Sequence, residues 1–213
     1  MKDNVFFVSG IDTNVGKSYA TGYLAKTWNE QGVRTITQKF IQTGNVGMSE
    51  DIELHRKIMG TGLQPEDESG LTMPEIFTYP CSPHLAAEID HRPIDFDKIE
   101  KATRQLSETY DAVLLEGAGG LMVPLTRDLL TIDYVAQKNY PLIFVTSGKL
   151  GSINHTLLSL EAVTRRGIRL HTVAYNLFPE EDDDIIRRDT EAYIRDLLAK
   201  EYPETHFVIV PKL

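Results

Sequence analysis

Short apolar runs recur along the chain and predict strands at residues 5–9, 35–39, 112–116, 141–147, 170–176 and 206–210. Between them the apolar spacing changes to a helical period. Behind Asp95, a candidate N-cap, Phe96, Ile99, Thr103, Leu106 and Tyr110 recur at steps of three and four. Ile153, Leu157, Leu160 and Val163 do the same, and Gly167 follows where a helix can end. Ile186, Tyr193 and Leu197 form a third stripe after the acidic run at residues 180–184, which reads as a solvated turn or a first helical turn. Strands alternating with helices predict an α/β fold, a mainly parallel sheet flanked by helices. In such sheets ligands sit beyond the carboxyl ends of the strands. Residues 40–50 and 60–83 carry Gly, Pro, Ser and Thr with weak periodicity and read as long loops around a site. With no internal repeat, low-complexity tract or linker, residues 1–213 are expected to form one domain.

Composition narrows the classes. Of 213 residues, 41% are hydrophobic and 25% charged, ordinary values for a globular chain. The net charge of −9 argues against a nucleic-acid binder with a basic face, while leaving room for a local loop that holds an anion. One cysteine, Cys81, allows no intramolecular disulfide. No stretch approaches the roughly 18 apolar residues of a membrane span, and the apolar run at residues 5–9 is too short for a signal peptide. A soluble cytoplasmic protein is expected, without a membrane or nucleic-acid partner.

The first candidate chemistry lies after the first strand. Gly10-Ile11-Asp12-Thr13-Asn14-Val15-Gly16-Lys17-Ser18 runs into a helical segment from Tyr19 to Gln31. That strand–loop–helix context is what a Walker A motif requires. Loop N–H groups and a helix N-terminus suit phosphate. Lys17 would neutralise the β- and γ-phosphates, the Ser18 hydroxyl would ligate Mg²⁺, and Gly16 would let the backbone approach closely. The loop has one residue more than the common spacing.

A second strand end is acidic. Residues 112–116 close on Glu116, followed by Gly117-Ala118-Gly119-Gly120. A carboxylate there takes the place of a Walker B residue that holds Mg²⁺. Asp51, at the expected start of a helix, reads equally as an N-cap or a metal ligand.

Together these segments resemble the dethiobiotin synthetase family of P-loop NTPases. The resemblance is carried by G-x-D-T-x-V-G-K-S, by Lys39 with Thr43-Gly44, by Ser82-Pro83-His84, by Glu116 to Gly120, by Lys149-Leu150-Gly151-Ser152-Ile153-Asn154-His155 and by Asn176. It implies an ATP- and Mg²⁺-dependent ring closure of 7,8-diaminononanoate with CO₂, through a carbamate and a carbamic-phosphoric anhydride. By position, Lys39 and Lys17 would be catalytic. Asn14, Val15, Gly16, Lys17, Ser18, Tyr19, Asp51, Glu116, Gly117, Ala118, Gly119, Asn176 and Pro211 would bind ATP, Asn176 through its amide on adenine. Ser18, Asp51 and Glu116 would hold Mg²⁺. Thr13 and Thr43 would contact the diamine, and Gly151, Ser152, Ile153 and Asn154 its carboxylate tail across a homodimer interface.

Read without the resemblance, Lys39 is a surface lysine at a strand end, His84 and His155 are structural hydrogen-bonding residues, Cys81 is a loop residue and Trp28 is core. The chain departs from the family pattern at Ile11, Asn14, Phe40-Ile41-Gln42 and Leu177, and it stops two residues after Pro211, which bears on base selectivity. Two alternatives fit less well. A cobyrinate-type amidotransferase needs a glutaminase domain with its own cysteine. A ParA-like positioning ATPase carries a lysine where this chain has Ile11.

Overall fold

The computed structural model describes residues 4–178 and 183–212. Its strands are β1 (Val5–Gly10), β2 (Thr35–Lys39), β3 (Gln42–Thr43), β4 (Ile76–Phe77), β5 (Ala112–Gly120), β6 (Leu142–Ser147), β7 (Leu170–Asn176) and β8 (His206–Val210). Its helices are α1 (Lys17–Glu30), α2 (Glu50–Met59), α3 (Pro65–Glu68), α4 (Pro83–Ile89), α5 (Phe96–Thr109), α6 (Thr131–Lys138), α7 (Ser152–Arg165) and α8 (Asp184–Glu201). Six strands build one sheet in the order β2-β5-β1-β6-β7-β8, and every pairing in it is parallel. This is the α/β arrangement with helices against a parallel sheet.

The strand sequences explain why both faces are covered. Leu142, Ile143, Phe144 and Val145 are all fully buried, as expected of a parallel strand packed on two sides. Alternate residues then feed two separate apolar layers. Phe7, Val113, Leu115, Phe144, Val173 and Tyr175 join one layer with Ile99 and Leu106 of α5, Leu160 of α7 and Ile194 of α8. Val8, Leu114, Ile143, Val145 and Ala174 join the other with Ala20, Leu24 and Ala25 of α1. Trp28 is half-buried on that second layer, edge-on to Phe6.

Helix ends follow local chemistry. Asp95 caps α5 by accepting from the Lys98 N–H, as expected. Gly167, at φ +64°, supplies the left-handed turn just past α7. Asp183 caps α8 and Asp184 opens it; residues 180–182 of the acidic run lie outside the described residues. The α8 stripe differs from expectation by one position. Thr190, Ile194 and Leu198 are its buried residues, while Tyr193 is exposed.

Residues 40–50 and 60–83 are not plain loops. They contain α3, the β3–β4 pair and the start of α2. Part of this segment seals the β2 edge, where the Lys39 N–H donates to Thr72 O and the Gln42 N–H to Glu75 O. A buried pair anchors it, with Arg56 Nε and Nη2 each 2.8 Å from an Asp67 oxygen and Thr72 Oγ1 donating to the same carboxylate. Among the described residues, no helix is long and apolar enough to cross a membrane.

Candidate active site

The carboxyl ends of β1, β2 and β5 converge because β5 lies between the other two in the sheet. The register places Lys39 of β2 directly beside Glu116 of β5, and Val8 of β1 on the other side of Glu116. Two charged side chains therefore meet at one depth, on the face packed by α1 and α2.

After β1 the chain turns through residues 11–16 into α1. Gly16, at φ +87°, is the left-handed residue preceding the helix, and a Cβ there would come within 2.0 Å of Asn176 Nδ2. Glycine is thus required both by conformation and by space. The Lys17 ammonium folds over the loop and donates to Asp12 O at 2.7 Å and Thr13 O at 3.0 Å. Burial pushes its pKa down to about 8; Glu116 and Asp51 oppose this shift and Lys39 adds to it.

Behind the loop lies a charged cluster. Lys39 Nζ is 2.5 Å from Asp51 Oδ2 and 2.7 Å from Glu116 Oε1, and it also donates to Gly117 O at 3.2 Å. Ser18 Oγ is 2.7 Å from Asp51 Oδ1 and 2.9 Å from Glu116 Oε1. One hydroxyl proton cannot serve both of those oxygens at once. Burial alone would raise the Glu116 carboxyl, but Lys39 and His55 outweigh it and hold the group well below the usual carboxylate range. Burial would likewise lower the Lys39 ammonium, and Glu116 and Asp51 reverse that, leaving it above its ordinary value.

Asp51 is not the cap of α2. Ser49 is, its hydroxyl accepting from the Ile52 N–H, so Asp51 is free to project from the first turn toward Ser18 and Lys39. One turn on, His55 reaches the same carboxylate cluster, its Nε2 2.7 Å from Glu116 Oε2. His55 belongs to no motif of the sequence. The available signal was its i, i+4 spacing from Asp51, which puts the two on one helix face.

A cavity of about 820 Å³ opens in front of the cluster. Thr13, Asn14, Gly16, Lys17, Ser18, Tyr19, Lys39, Thr43, Asp51, Glu116, Ala118 and Gly119 all line it, as does Phe178. Cys81 does too; burial and the Asp90 charge raise its thiol pKa, the opposite of an activated nucleophile. Val15 and Gly117 are packed behind the lining, Gly117 so closely that a Cβ would meet the Phe7 ring at 2.9 Å.

Other sequence-selected residues lie outside this cavity within one chain. Asn176 is buried beneath the loop, its Nδ2 donating to Val15 O and its Oδ1 accepting from the Phe178 N–H. Pro211 follows β8, whose Val210 pairs with Asn176. Gly151, Ser152, Ile153 and Asn154 form the start of α7, where Gly151 is at φ +96° and Ser152 Oγ lies 3.1 Å from Ser147 Oγ. Among the described residues, buried His84 Nδ1 has no hydrogen-bond partner, so the expected structural hydrogen bond is not made at that atom; His155 is exposed on α7.

Residues 4–213 match a protein family described as "AAA domain". The ATP-dependent dethiobiotin synthetase BioD 2 of Pasteurella multocida is 52% identical over 206 residues, covering 97% of this chain and 96% of that protein. Its namesake from Haemophilus influenzae is 57% identical over 184 residues, 86% of this chain and 96% of that one. Among solved structures, pNOB8 ParA bound to nonspecific DNA superposes with a TM-score of 0.56 over 99% of this chain and 85% of that one. At 13% identity that likeness concerns the fold alone. By its extended phosphate loop, its lysine–carboxylate cluster and its near full-length match to these relatives, the chain belongs to the ATP-dependent dethiobiotin synthetase family.

Proposed function

We propose that the chain is the ATP-dependent ligase that closes the ureido ring of dethiobiotin from 7,8-diaminononanoate and CO₂, releasing ADP and phosphate. Beyond family membership, the convergence of Lys17, Ser18, Lys39, Asp51 and Glu116 on one cavity carries this reading.

The chemistry places anions at every stage. One amine takes up CO₂ as a carbamate and loses a proton. A carbamate oxygen then attacks the γ-phosphorus and ADP departs. The second amine attacks the carbamoyl carbon, loses a proton, and phosphate leaves. Each step needs charge stabilised and reactants held in line, which positioned lysines and N–H groups provide. Lys17 and the α1 N-terminus hold the phosphates. Lys39 neutralises the carbamate and the transferring phosphoryl group, turning from the two carboxylates toward the cavity. Thr13 and Thr43, both on the cavity wall, hold the diamine.

Ser18, Asp51 and Glu116 fit Mg²⁺. They offer three hard oxygens around a single hydroxyl proton, with a cationic nitrogen already drawn between the carboxylates. The ion would supply charge neutralisation on the β- and γ-phosphates. Adenine binding through Asn176 uses the amide hydrogen and lone pair left after its bonds to Val15 and Phe178, with Pro211 nearby on the next strand end. Gly151 to Asn154 open a 14-residue helix whose N–H groups suit a carboxylate, and they serve a second copy's site in a homodimer. A sheet that takes β1 and β8 from the two ends of the chain supports one domain over residues 1–213. A cytoplasmic location fits the single cysteine.

The test is phosphate release from ATP with Mg²⁺ and bicarbonate, with and without 7,8-diaminononanoate, the product identified by mass. Diamine-dependent release with dethiobiotin formation is expected. Release that ignores the diamine would sink the reading.

A further inference from the structure

We propose that His55 is a positioning residue that presents the Glu116 carboxylate to the metal site through a single oxygen. The inference rests on the assignment of Glu116 as an Mg²⁺ ligand made above.

Its basis is a buried chain of hydrogen bonds that ends on the Glu116 carboxylate. Arg56 Nη1 donates to Thr37 Oγ1 at 2.8 Å. Thr37 Oγ1 is also 3.0 Å from His55 Nδ1. The Thr37 hydroxyl thus bridges the Arg56 guanidinium and the His55 ring, and fixes the ring plane. The Glu116 carboxylate only accepts, so the 2.7 Å contact to its Oε2 is a bond donated by an N–H on His55 Nε2. His55, Thr37 and Glu116 are each completely buried, so no water competes for these bonds.

The consequence falls on the other carboxylate oxygen. With Oε2 held by His55, Oε1 is the atom that faces Ser18 Oγ at 2.9 Å and Lys39 Nζ at 2.7 Å. The carboxylate cannot rotate to offer both oxygens to one cation, and its open oxygen is aimed at the same point as Asp51 Oδ1. Partners that orient ligands in this way matter for affinity: removing one typically weakens metal binding about 10- to 100-fold.

The backbone supports the arrangement. Thr37 and Lys39 lie two residues apart on β2 and share its face with Glu116. Helix α2 delivers His55 to that face because Gly22 of α1 admits it closely; a Cβ at Gly22 would lie 3.2 Å from His55 Cα. Asp51 and His55 thus act from one side of α2, one toward the open oxygen and one on the closed one.

Two polar variants separate the two bonds of the ring. In His55→Gln the amide nitrogen can reach Glu116 as Nε2 does. In His55→Asn it reaches only as far as Nδ1, toward Thr37. The measurement is binding of a fluorescent ADP analogue while MgCl₂ is titrated, which needs no turnover. His55→Asn is expected to raise the half-saturating Mg²⁺ concentration about tenfold, and His55→Gln less than about threefold. Metal-free affinity for the analogue should stay at the wild-type value in both. Equal shifts in both variants, an unshifted His55→Asn, a parallel loss of metal-free binding, or failure of both to fold would each overturn the proposal. Wild-type turnover is measured separately. If it does not depend on the diamine, the functional reading fails while the Mg²⁺ titration still reports on His55.

Discussion

Lys39→Met removes one positive charge from between two carboxylates and leaves the volume nearly filled. In the wild type, Nζ is 2.5 Å from Asp51 and 2.7 Å from Glu116, in a site where Glu116 is completely buried. Deleting one partner of a buried ion pair costs about 3–5 kcal/mol, because the remaining charge is left uncompensated. The lower end applies here, since Asp51 keeps a quarter of its side-chain surface in solvent and Glu116 retains Ser18 and His55. A loss of about 3 kcal/mol corresponds to a fall in Tm of about 6–12 °C for a chain of this size. The lost charge can be replaced from solution. Mg²⁺ at about one hundred times its dissociation constant returns about 2.7 kcal/mol. The expected result is a Lys39→Met protein that melts well below metal-free wild type, returns close to that metal-free wild-type melting temperature when Mg²⁺ is added, binds ADP and turns nothing over. Thermal melts with and without MgCl₂, alongside phosphate release, check this. A variant that melts with wild type in the absence of Mg²⁺ would refute the electrostatic reasoning, and wild-type turnover would remove Lys39 from the mechanism.

Three further perturbations follow from the same geometry. The Lys17 ammonium titrates near pH 8, so above that the free protein lacks the proton that a bound phosphate favours; ADP affinity without metal should fall with pH, approaching tenfold per unit, and a flat profile between about pH 7 and 9.5 would contradict it. For folding the sign is opposite: with the folded pKa below the ordinary lysine value of 10.5, the unfolded chain binds more protons between about 8 and 10.5, and Lys17's contribution to stability rises with pH there. Gly16→Ala puts a Cβ 2.0 Å from Asn176 Nδ2 at φ +87°, and calorimetry should register loss of ADP binding; near-normal affinity would show that the loop can shift. Asp67→Asn leaves Arg56 buried without its charge partner and should destabilise by about 3 kcal/mol in urea unfolding at pH 7. Burial opposes the shift, but hydrogen bonds from Arg56 and Thr72 hold the Asp67 carboxyl below its ordinary pKa, so its stabilisation is present above about pH 4 and fades below it; an Asp67→Asn deficit that persists undiminished at pH 2–3 would refute this.

Much of the sheet was legible because β1, β6, β7 and the first part of β5 are local apolar runs packed on both faces. Residues 35–39, 170–176 and 206–210 match β2, β7 and β8 end to end. The β5 strand continues to Gly120, beyond the apolar residues, because Gly120 pairs with Gly10 of β1, a long-range partner that no local pattern announces. Helices with weak stripes are not legible in this way. In α6 the buried residues Thr131, Ile132, Tyr134 and Val135 interleave polar and aromatic side chains. In α8 a buried threonine, Thr190, hid the true stripe and lent its place to the exposed Tyr193.

The site divides along the same line. The phosphate loop and its helix are contiguous, so their geometry can be read from spacing alone. The Lys39–Glu116 pair is 77 residues apart in sequence and becomes adjacent only through the strand order and a register that sets the two side by side. Nothing about an isolated lysine at a strand end announces that, which is why only the resemblance to a family singled it out. His55 shows the limit from the other direction. Its spacing from Asp51 was visible, yet a histidine on a helix gains a role only when a neighbouring helix admits it to the sheet, and that depended on Gly22, thirty-three residues earlier. Asn176 adds the same lesson for a strand end: its place at the end of β7 is legible, while the bond from its amide to Val15 O, which braces the phosphate loop against Gly16, is not. Residues whose work is done by neighbours in sequence are read from sequence, and those whose work is done across the sheet wait for the strand order.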